Sequence, residues 1–233
     1  MTLRRFADET AWIEAIRADF LEACAAVPPE RPLEAALAGG STPGPAYRAL
    51  AALSVRRPVR LRPGDERLVP PDSPDRNGAM IALAFAGAAW TPAPELRPWP
   101  EGSDGAAVAA AFAAVLEAEL PRDASGLPRF DLCWLGMGND GHVAGLFPGD
   151  AAFESARGSE ARPALPAAAP SEPRARVTLA LPAILASERI RLLVRGADKL
   201  ALLERVASGD RAAAALPVAR VLASPRALAF WCP

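Results

Sequence analysis

The sequence predicts an α/β fold, in which helices cover both faces of a mostly parallel β-sheet. Short apolar runs alternate with segments of helical periodicity along the whole chain, and glycine-rich or charged loops follow several of the runs. This alternation is typical of parallel sheets, because a helix carries the chain from one strand to the next. With 233 residues, 51% of them hydrophobic, the chain can bury one sizeable core, so we expect a single domain over residues 1–233.

The first half of the chain is predicted to hold three helices and two strands. The helices show apolar residues at a spacing near 3.6, and the strands are short apolar runs. In chain order these elements are a helix at 6–26, a strand at 32–38, a helix at 47–53, a strand at 59–62 and a helix at 74–88. Pro28 and Pro29 end the first helix, since proline cannot donate a backbone hydrogen bond.

The second half repeats the pattern around two irregular stretches. Residues 91–103 are rich in proline and predict a loop, after which Asp104 caps an alanine-rich helix that runs to Leu120. Residues 154–173 are expected to form an exposed excursion that is open to movement and could close over a pocket. The remaining predicted elements are strands at 130–135, 176–181, 190–194 and 227–231 and a helix at 197–207.

Composition narrows the possible partners. The net charge is −1 and the isoelectric point is about 6.0, so the chain as a whole gives no reason to expect a nucleic acid or an anionic membrane as partner. The chain lacks a long uncharged apolar run, and residues 1–20 do not resemble a signal peptide, so we expect a cytoplasmic protein. A monomer and a small homo-oligomer are both compatible with the sequence.

Cysteine and histidine usage argues against a metal site. Cys24, Cys133 and Cys232 lie far apart in the chain, and we interpret them as free thiols in a reducing compartment. The chain has one histidine and no pair of cysteines at ligand spacing, so we expect no metal.

The turn Gly39-Gly40-Ser41-Thr42 lies between the first predicted strand and the helix that follows it. Glycines allow backbone N–H groups to turn toward a ligand, and the start of a helix adds partial positive charge and unpaired donors. The turn therefore suits a phosphate group. Taken alone, it is equally well interpreted as an ordinary tight turn, and its glycine spacing matches neither the nucleotide P-loop nor the dinucleotide fingerprint.

The only histidine, His142, lies in a glycine-rich loop over residues 136–149, directly after a predicted strand. An arbitrary lone histidine is more often a surface residue, but this loop composition favours a site. Because imidazole exchanges protons near neutral pH, His142 is the candidate general base, and Asp140 can orient its ring or hold the loop together. A nucleophilic triad is less favoured, since neither Ser41 nor Ser73 lies in a Gly-x-Ser-x-Gly sequence.

Four further charged residues lie beside predicted strands. Arg67 offers a forked set of donors for a phosphate or carboxylate, and Asp65 can accept hydrogen bonds from hydroxyl groups. Lys199, the only lysine, begins a helix and can place a point charge on a phosphate, and Arg176 opens a strand. The alternative for each is a solvated turn or strand edge. Loops at the carboxyl ends of parallel strands meet at one edge of the sheet, so we expect one shared pocket.

Five blocks of residues, in order along nearly the whole chain, resemble the signature blocks of the 6-phosphogluconolactonase family. The blocks are Leu37–Pro43, Asp65–Pro70, Leu135–Gly149, Arg176–Thr178 and Gly196–Lys199. Five ordered blocks are far more specific than any single glycine-rich turn.

The resemblance implies a modified Rossmann-type fold and the hydrolysis of 6-phospho-D-glucono-1,5-lactone to 6-phospho-D-gluconate in the oxidative pentose phosphate pathway. It implies no metal or organic cofactor. It adds Asn77, Gly138 and Asn139 to the residues expected to bind the substrate. Gly145 stands where these lactonases usually carry serine, so a hydroxyl contact from that position is lost.

Two other functions are weighed against the lactonase. A sugar-phosphate isomerase or deaminase of the same fold would carry a glutamate shortly after the Gly-His dipeptide, and the corresponding stretch Val143–Gly149 has no carboxylate. A sugar-phosphate sensor would commonly begin with a helix-turn-helix segment, whereas one helix precedes the first predicted strand near residue 32. Both observations favour the lactonase.

The sequence leads to a specific mechanistic hypothesis. Neutral His142 takes a proton from water as the water attacks the C1 carbonyl, and the imidazolium then protonates the leaving ring oxygen. The Gly39–Thr42 turn, Arg67, Arg176 and Lys199 hold the remote phosphate and thereby orient C1. Replacement of Lys199 by alanine should then mainly weaken substrate binding, and replacement of His142 should mainly reduce turnover.

Overall fold

The computed structural model of the chain describes residues 2–155 and 162–233. These residues form ten strands: β1 (Thr2–Arg5), β2 (Leu33–Leu37), β3 (Val59–Pro63), β4 (Asp65–Arg67), β5 (Glu95–Leu96), β6 (Leu132–Leu135), β7 (Ala164–Ala168), β8 (Ala175–Leu179), β9 (Arg189–Arg195) and β10 (Ala227–Cys232). They also form nine helices: α1 (Glu9–Ala26), α2 (Gly44–Ala51), α3 (Asn77–Phe85), α4 (Gly105–Glu119), α5 (Ala151–Ser155), α6 (Leu181–Ala186), α7 (Ala197–Ala207), α8 (Arg211–Ala214) and α9 (Pro217–Leu222).

Seven of the strands form one sheet in the order β1-β10-β9-β6-β2-β3-β5. Every pair of neighbours in it is parallel. From β2 the chain builds outward through β3 to β5, and it then returns to the other side of β2 with β6. The strand order therefore reverses between β2 and β6, which is where ligands bind in open parallel sheets.

The large sheet is covered on both faces. Alternate residues of the central strands point to opposite sides, so Ala35 and Trp134 pack with α1, α2 and α3, whereas Ala36 and Leu135 pack with α4, α7 and α9. This arrangement confirms the predicted α/β fold, a mostly parallel sheet with helices on both faces. None of the helices in the described ranges combines the length and apolar character needed to span a bilayer.

Most predicted elements are confirmed within a few residues. They are the helices α1, α2, α3, α4 and α7 and the strands β2, β3, β6, β8, β9 and β10. Asp104 caps α4 as predicted, since its side chain accepts hydrogen bonds from the N–H groups of Ala106 and Ala107. Short α5, α6, α8 and α9 were not predicted, because four to six residues show too little of a helical period. The two-residue β5 lies within residues 91–103, which were predicted to be a loop, and it is a strand because it pairs with β3.

The prediction that the first strand begins near residue 32 is wrong. Residues Thr2–Arg5 form β1, which pairs in parallel with β10 at the sheet edge. Its sequence Thr-Leu-Arg-Arg is largely exposed, so the strand lacks the apolar run that marks buried strands.

A second, antiparallel sheet has the order β4-β8-β7. Residues 65–67 were expected to be a loop, and 154–173 an exposed excursion. Instead Asp65–Arg67 is a strand, and Ala164–Ala168 pairs with β8 and buries Ala164. Pro166 is compatible with a strand here because β7 lies at the sheet edge. The part of the predicted excursion at 156–161 lies outside the described residues, so movement over the pocket stays a prediction.

Candidate active site

A pocket of about 270 Å³ opens at the carboxyl ends of β2, β3 and β6, at the point where the strand order reverses. It is lined by residues 38–42, Gly64, Asp65, Arg67, Asn77, residues 134–138, His142 and Ala144. The three loops that the sequence predicted to converge therefore share one cavity. Of the predicted site residues, Asn139, Asp140, Arg176 and Lys199 are not among those that line it.

The Gly39–Thr42 turn forms one wall of the pocket. None of the described residues accepts a hydrogen bond from the backbone N–H groups of this turn. The hydroxyl of Tyr47 donates to the carbonyl oxygen of Ala38 at 2.9 Å, and since the N–H of a trans peptide points opposite to its C=O, this bond aims the N–H of Gly39 away from Tyr47. The turn thus presents unpaired donors of the kind that bind anions.

Close packing explains why the turn contains glycine. A Cβ atom at Gly39 would lie 1.9 Å from the side-chain oxygen of Asn77, and Gly40 has φ of +83°. A larger residue at the first position would displace Asn77, and a larger residue at the second would be strained.

The opposite wall comes from β4, whose side chains alternate. Asp65 and Arg67 line the pocket, whereas Glu66 points the other way and is fully buried. The side chain of Asn77 donates to the backbone oxygen of Asp65 at 2.8 Å and to its carboxylate at 3.2 Å. The guanidinium of Arg67 donates to the backbone oxygen of Asp75, which ties β4 to the segment before α3.

The surroundings of Asp65 disfavour its charged form. Although part of its surface faces the pocket, burial raises the pKa of its carboxyl to about 6, against the opposing effect of Arg67. The neighbouring Glu66 raises this pKa further, and Arg176 and His142 lower it. The pocket therefore contains a carboxyl group that changes charge at mildly acidic pH.

Arg176 lies next to the pocket on β8. It is buried, and its Nη1 atom has no hydrogen-bond partner within the described part of the chain. Burial lowers the pKa of its guanidinium, and the nearby Arg67 lowers it further. Asp65 and Glu66 act in the opposite direction. A buried guanidinium with an unpaired N–H next to a second guanidinium is suited to an anion.

His142 is held on one side by Asp140. Its Nδ1 atom lies 2.7 Å from a carboxylate oxygen of Asp140, and the same oxygen accepts the backbone N–H of His142 at 3.1 Å. Because a carboxylate only accepts, we assign the imidazole proton to Nδ1, which leaves Nε2 as the basic atom. The ring contacts that of Phe147, with centroids 4.5 Å apart. Asp140 therefore acts on His142 rather than on the cavity itself.

The backbone of this loop is tightly closed. The N–H of Gly138 donates to the carbonyl of His142 at 3.0 Å, and a Cβ at Gly138 would lie 2.1 Å from Nδ1 of that histidine. Ala144 has φ of 49°, an uncommon value for alanine, and the next N–H, of Gly145, donates to the hydroxyl of Thr178 at 3.0 Å. Gly138 is thus required for the close approach of the imidazole.

Lys199 lies behind the loop. Its ammonium group donates to the carbonyl oxygen of Met137, and burial lowers its pKa while Asp140 and Asp198 raise it. Asn139 is exposed at the tip of the loop and does not line the cavity.

Sequence reasoning missed several residues of the site. Trp134, Met137 and Ala144 line the cavity, and Tyr47 and Glu66 support it from behind. The alternation of β4 could have indicated Glu66, but only if residues 65–67 had been interpreted as a strand. Within the described ranges, no cluster of three or more histidine, cysteine or acidic residues is arranged to hold a metal ion.

Comparison with known proteins gives a consistent result. The family model described as glucosamine-6-phosphate isomerases/6-phosphogluconolactonase matches residues 7–231. The chain is 34% identical to a 6-phosphogluconolactonase of Nostoc sp., over 73% of this chain and 70% of that protein. It is 32% identical to one of Pseudomonas putida, over 84% and 78% of the two chains. A crystal structure of a 6-phosphogluconolactonase from Shewanella baltica is similar with a TM-score of 0.86 and 25% identity, covering 100% of this chain and 98% of that one.

Proposed function

The chain belongs to the glucosamine-6-phosphate isomerase/6-phosphogluconolactonase family, and we propose that it hydrolyses 6-phospho-D-glucono-1,5-lactone to 6-phospho-D-gluconate in the oxidative pentose phosphate pathway. One observation carries the proposal. A histidine that is oriented by a carboxylate shares a cavity with a turn of unpaired backbone N–H groups and with Arg67, and Arg176 lies next to Arg67 on the paired strand. A sugar phosphate needs both features, a base at one end and an anion site at the other.

The proposed reaction begins at Nε2 of His142. A water molecule attacks C1 of the lactone as Nε2 takes one of its protons, and the C1–O5 bond then breaks as the imidazolium returns that proton to the ring oxygen. The products are a carboxylic acid and a hydroxyl group, so atoms and charge balance. Asp140 stabilises the transient imidazolium through Nδ1 and keeps the ring oriented.

The phosphate is proposed to bind at the Gly39–Thr42 turn, with Arg67 and Arg176 as the charged partners. The unpaired N–H groups of the turn and the unpaired Nη1 of Arg176 support this assignment. Lys199 and Asn139, and the backbone of Gly138, stay predicted substrate contacts. Binding energy from the phosphate, remote from C1, would be used to orient the carbonyl toward His142.

The pocket chemistry favours the lactonase over the deaminase and isomerase reactions of the same family. Asp65 and His142 are the acid/base side chains that line the cavity in the described structure. The loop over Val143–Gly149 carries no carboxylate that could assist ring opening. Water activation needs one base, which His142 supplies.

The test is direct. The lactone is generated in the cuvette from glucose 6-phosphate and its dehydrogenase, and its disappearance is followed with and without the protein. We expect acceleration by the wild type and a loss of about 10²–10⁴-fold in His142→Asn. A wild-type protein that does not exceed buffer, or that instead releases ammonia from glucosamine 6-phosphate, contradicts the proposal.

We also propose that residues 1–233 form one domain, which the match of one family model to residues 7–231 supports. A cytoplasmic location and a monomer or small homo-oligomer stay predictions from the sequence.

A further inference from the structure

Glu66 is a buried carboxylate that does not line the pocket. It is 0% exposed and lies on the side of β4 opposite to Asp65 and Arg67. Its two neighbours in the strand line the pocket, whereas the proposed reaction leaves Glu66 without a role. A buried carboxylate is expensive unless it is hydrogen-bonded, so its partners indicate why it is there.

The partners of Glu66 are backbone N–H groups. One carboxylate oxygen accepts from Asn77 at 2.7 Å and from Arg67 at 2.8 Å, and the other accepts from Gly78 at 2.8 Å. The nearest cation, Nε of Arg76, lies 3.7 Å away, beyond hydrogen-bond distance. Glu66 therefore binds the first N–H groups of α3.

Helix α3 is capped by a side chain of β4 rather than by its own N-cap residue. Arg76, at the N-cap position, does not cap the helix with its side chain. The free N–H groups at the start of a helix need acceptors and favour negative charge. Glu66 supplies both, and it thereby couples the position of α3 to the position of β4.

Three parts of the pocket depend on this coupling. Asn77 is the first residue of α3, and its amide group holds the backbone and carboxylate of Asp65. The same amide packs so closely on Gly39 that a Cβ there would lie 1.9 Å from its oxygen. A shift at the start of α3 therefore moves Asn77, Asp65 and the contact with the anion-binding turn together.

We propose that Glu66 is a positioning residue that acts through Asn77 on the substrate-binding side of the pocket, where Asp65 and the Gly39–Thr42 turn contact Asn77. The inference rests on the proposed lactonase function. The His142 loop follows a different strand, and among the described residues the polar partners of Glu66 are Arg67, Arg76, Asn77 and Gly78. The positioning role therefore concerns substrate binding and not proton transfer.

Glu66→Gln tests the proposal. Glutamine keeps the shape, but its amide offers one oxygen for three N–H groups, so an N–H of α3 faces another donor. The unsatisfied donor lowers stability and displaces the start of α3 together with Asn77. We expect KM for the lactone and Ki for 6-phosphogluconate to rise about tenfold, roughly the effect of one lost hydrogen bond, with kcat within about threefold of wild type.

Gly78→Ala separates positioning from stability. A Cβ at residue 78 would lie 3.2 Å from the Glu66 carboxylate and would push it by a few tenths of an ångström. Alanine favours a helix over glycine, so we expect an unchanged or raised Tm. KM should nevertheless rise, by less than in Glu66→Gln. A purely structural role of Glu66 would not produce this combination.

Asp131→Asn is the matched control. Asp131 is also buried and accepts the backbone N–H of Glu34, in addition to an ion pair with Arg31, but it lies just before β6, at the amino-terminal ends of the parallel strands and away from the pocket. The substitution Asp131→Asn should lower Tm and leave KM unchanged. The inference fails if Glu66→Gln lowers Tm but leaves KM unchanged, as expected for Asp131→Asn, or if it lowers kcat at constant KM. It also fails if Gly78→Ala keeps the wild-type KM. The lactonase proposal would stand in each of these cases. An inactive wild type would instead refute the proposed function.

Discussion

Arg67 and Arg176 are directly opposed partners in the antiparallel pair of β4 and β8. Directly paired residues of such a ladder lie on the same face with their Cβ atoms about 5 Å apart, and like charges in this position destabilise a sheet. Here the repulsion is accompanied by burial of Arg176 and by its unpaired Nη1. An anion between the two guanidinium groups would remove the repulsion, which supports the proposal that the pair binds the phosphate.

Arg176→Gln should weaken substrate binding without loss of stability. Removal of a charge-assisted contact to phosphate is expected to raise KM about tenfold to a hundredfold, with kcat little changed. Because the like-charge pair is gone, Tm should stay equal or rise. Steady-state kinetics and thermal unfolding measure both. Arg174→Gln, an exposed arginine two residues earlier, is the control and should match wild type. A fall in kcat at constant KM would contradict the assignment.

Asp140→Asn should reduce turnover. An asparagine at this position can turn its NH₂ group toward Nδ1 of His142, which favours the wrong tautomer and withdraws the stabilising charge. We expect kcat to fall about 10²-fold or more at nearly constant KM. Asp198→Asn, in an exposed carboxylate near Lys199, is the control. Wild-type kcat in Asp140→Asn would show that His142 needs no partner.

Asp65 should make the stability depend on pH. Its pKa is raised from 3.8 to about 6 in the folded protein, so the native state binds more protons than the unfolded state between these values. Stability therefore falls as pH rises through this window, and the loss is complete above it. Asp65→Asn lacks the titration. We expect the free energy of unfolding of the variant, measured in urea, to increase relative to that of the wild type between about pH 4 and about pH 8. A difference that does not change with pH would be inconsistent with a buried carboxyl.

Lys199→Met distinguishes two roles of the ammonium group, a phosphate contact and a support of the His142 loop. If Lys199 contacts the phosphate, the substitution should raise KM about tenfold and leave kcat within a few-fold of wild type. The ammonium group also donates a hydrogen bond to the carbonyl oxygen of Met137, near the start of the His142 loop. A fall in kcat at constant KM would therefore show that Lys199 supports the His142 loop, and it would contradict the predicted phosphate contact.

Much of the site was predictable because its signals are local. The Gly39–Thr42 turn and the loop around His142 each follow an apolar run, and parallel strands bring such loops to one edge of a sheet. The positive φ of Gly40 and the close contact at Gly138 are properties of a few consecutive residues. Glycine-rich composition reports them directly.

Other features depended on contacts between distant segments. The alanine-rich residues 164–168 form a strand only because β8 is next to them. The exposed β1 is a strand only because β10 offers an edge. Short segments of this kind carry little periodicity of their own, so neighbouring strands decide their structure.

Local signals were enough to predict the fold class and the loops that meet at the pocket, since apolar periodicity and glycine content act over a few residues. Contacts between distant segments place Arg67 opposite Arg176 and make Glu66 the cap of α3. Strand register and burial set these relationships. Both arise from packing between segments that are remote in the chain, and no local pattern encodes them.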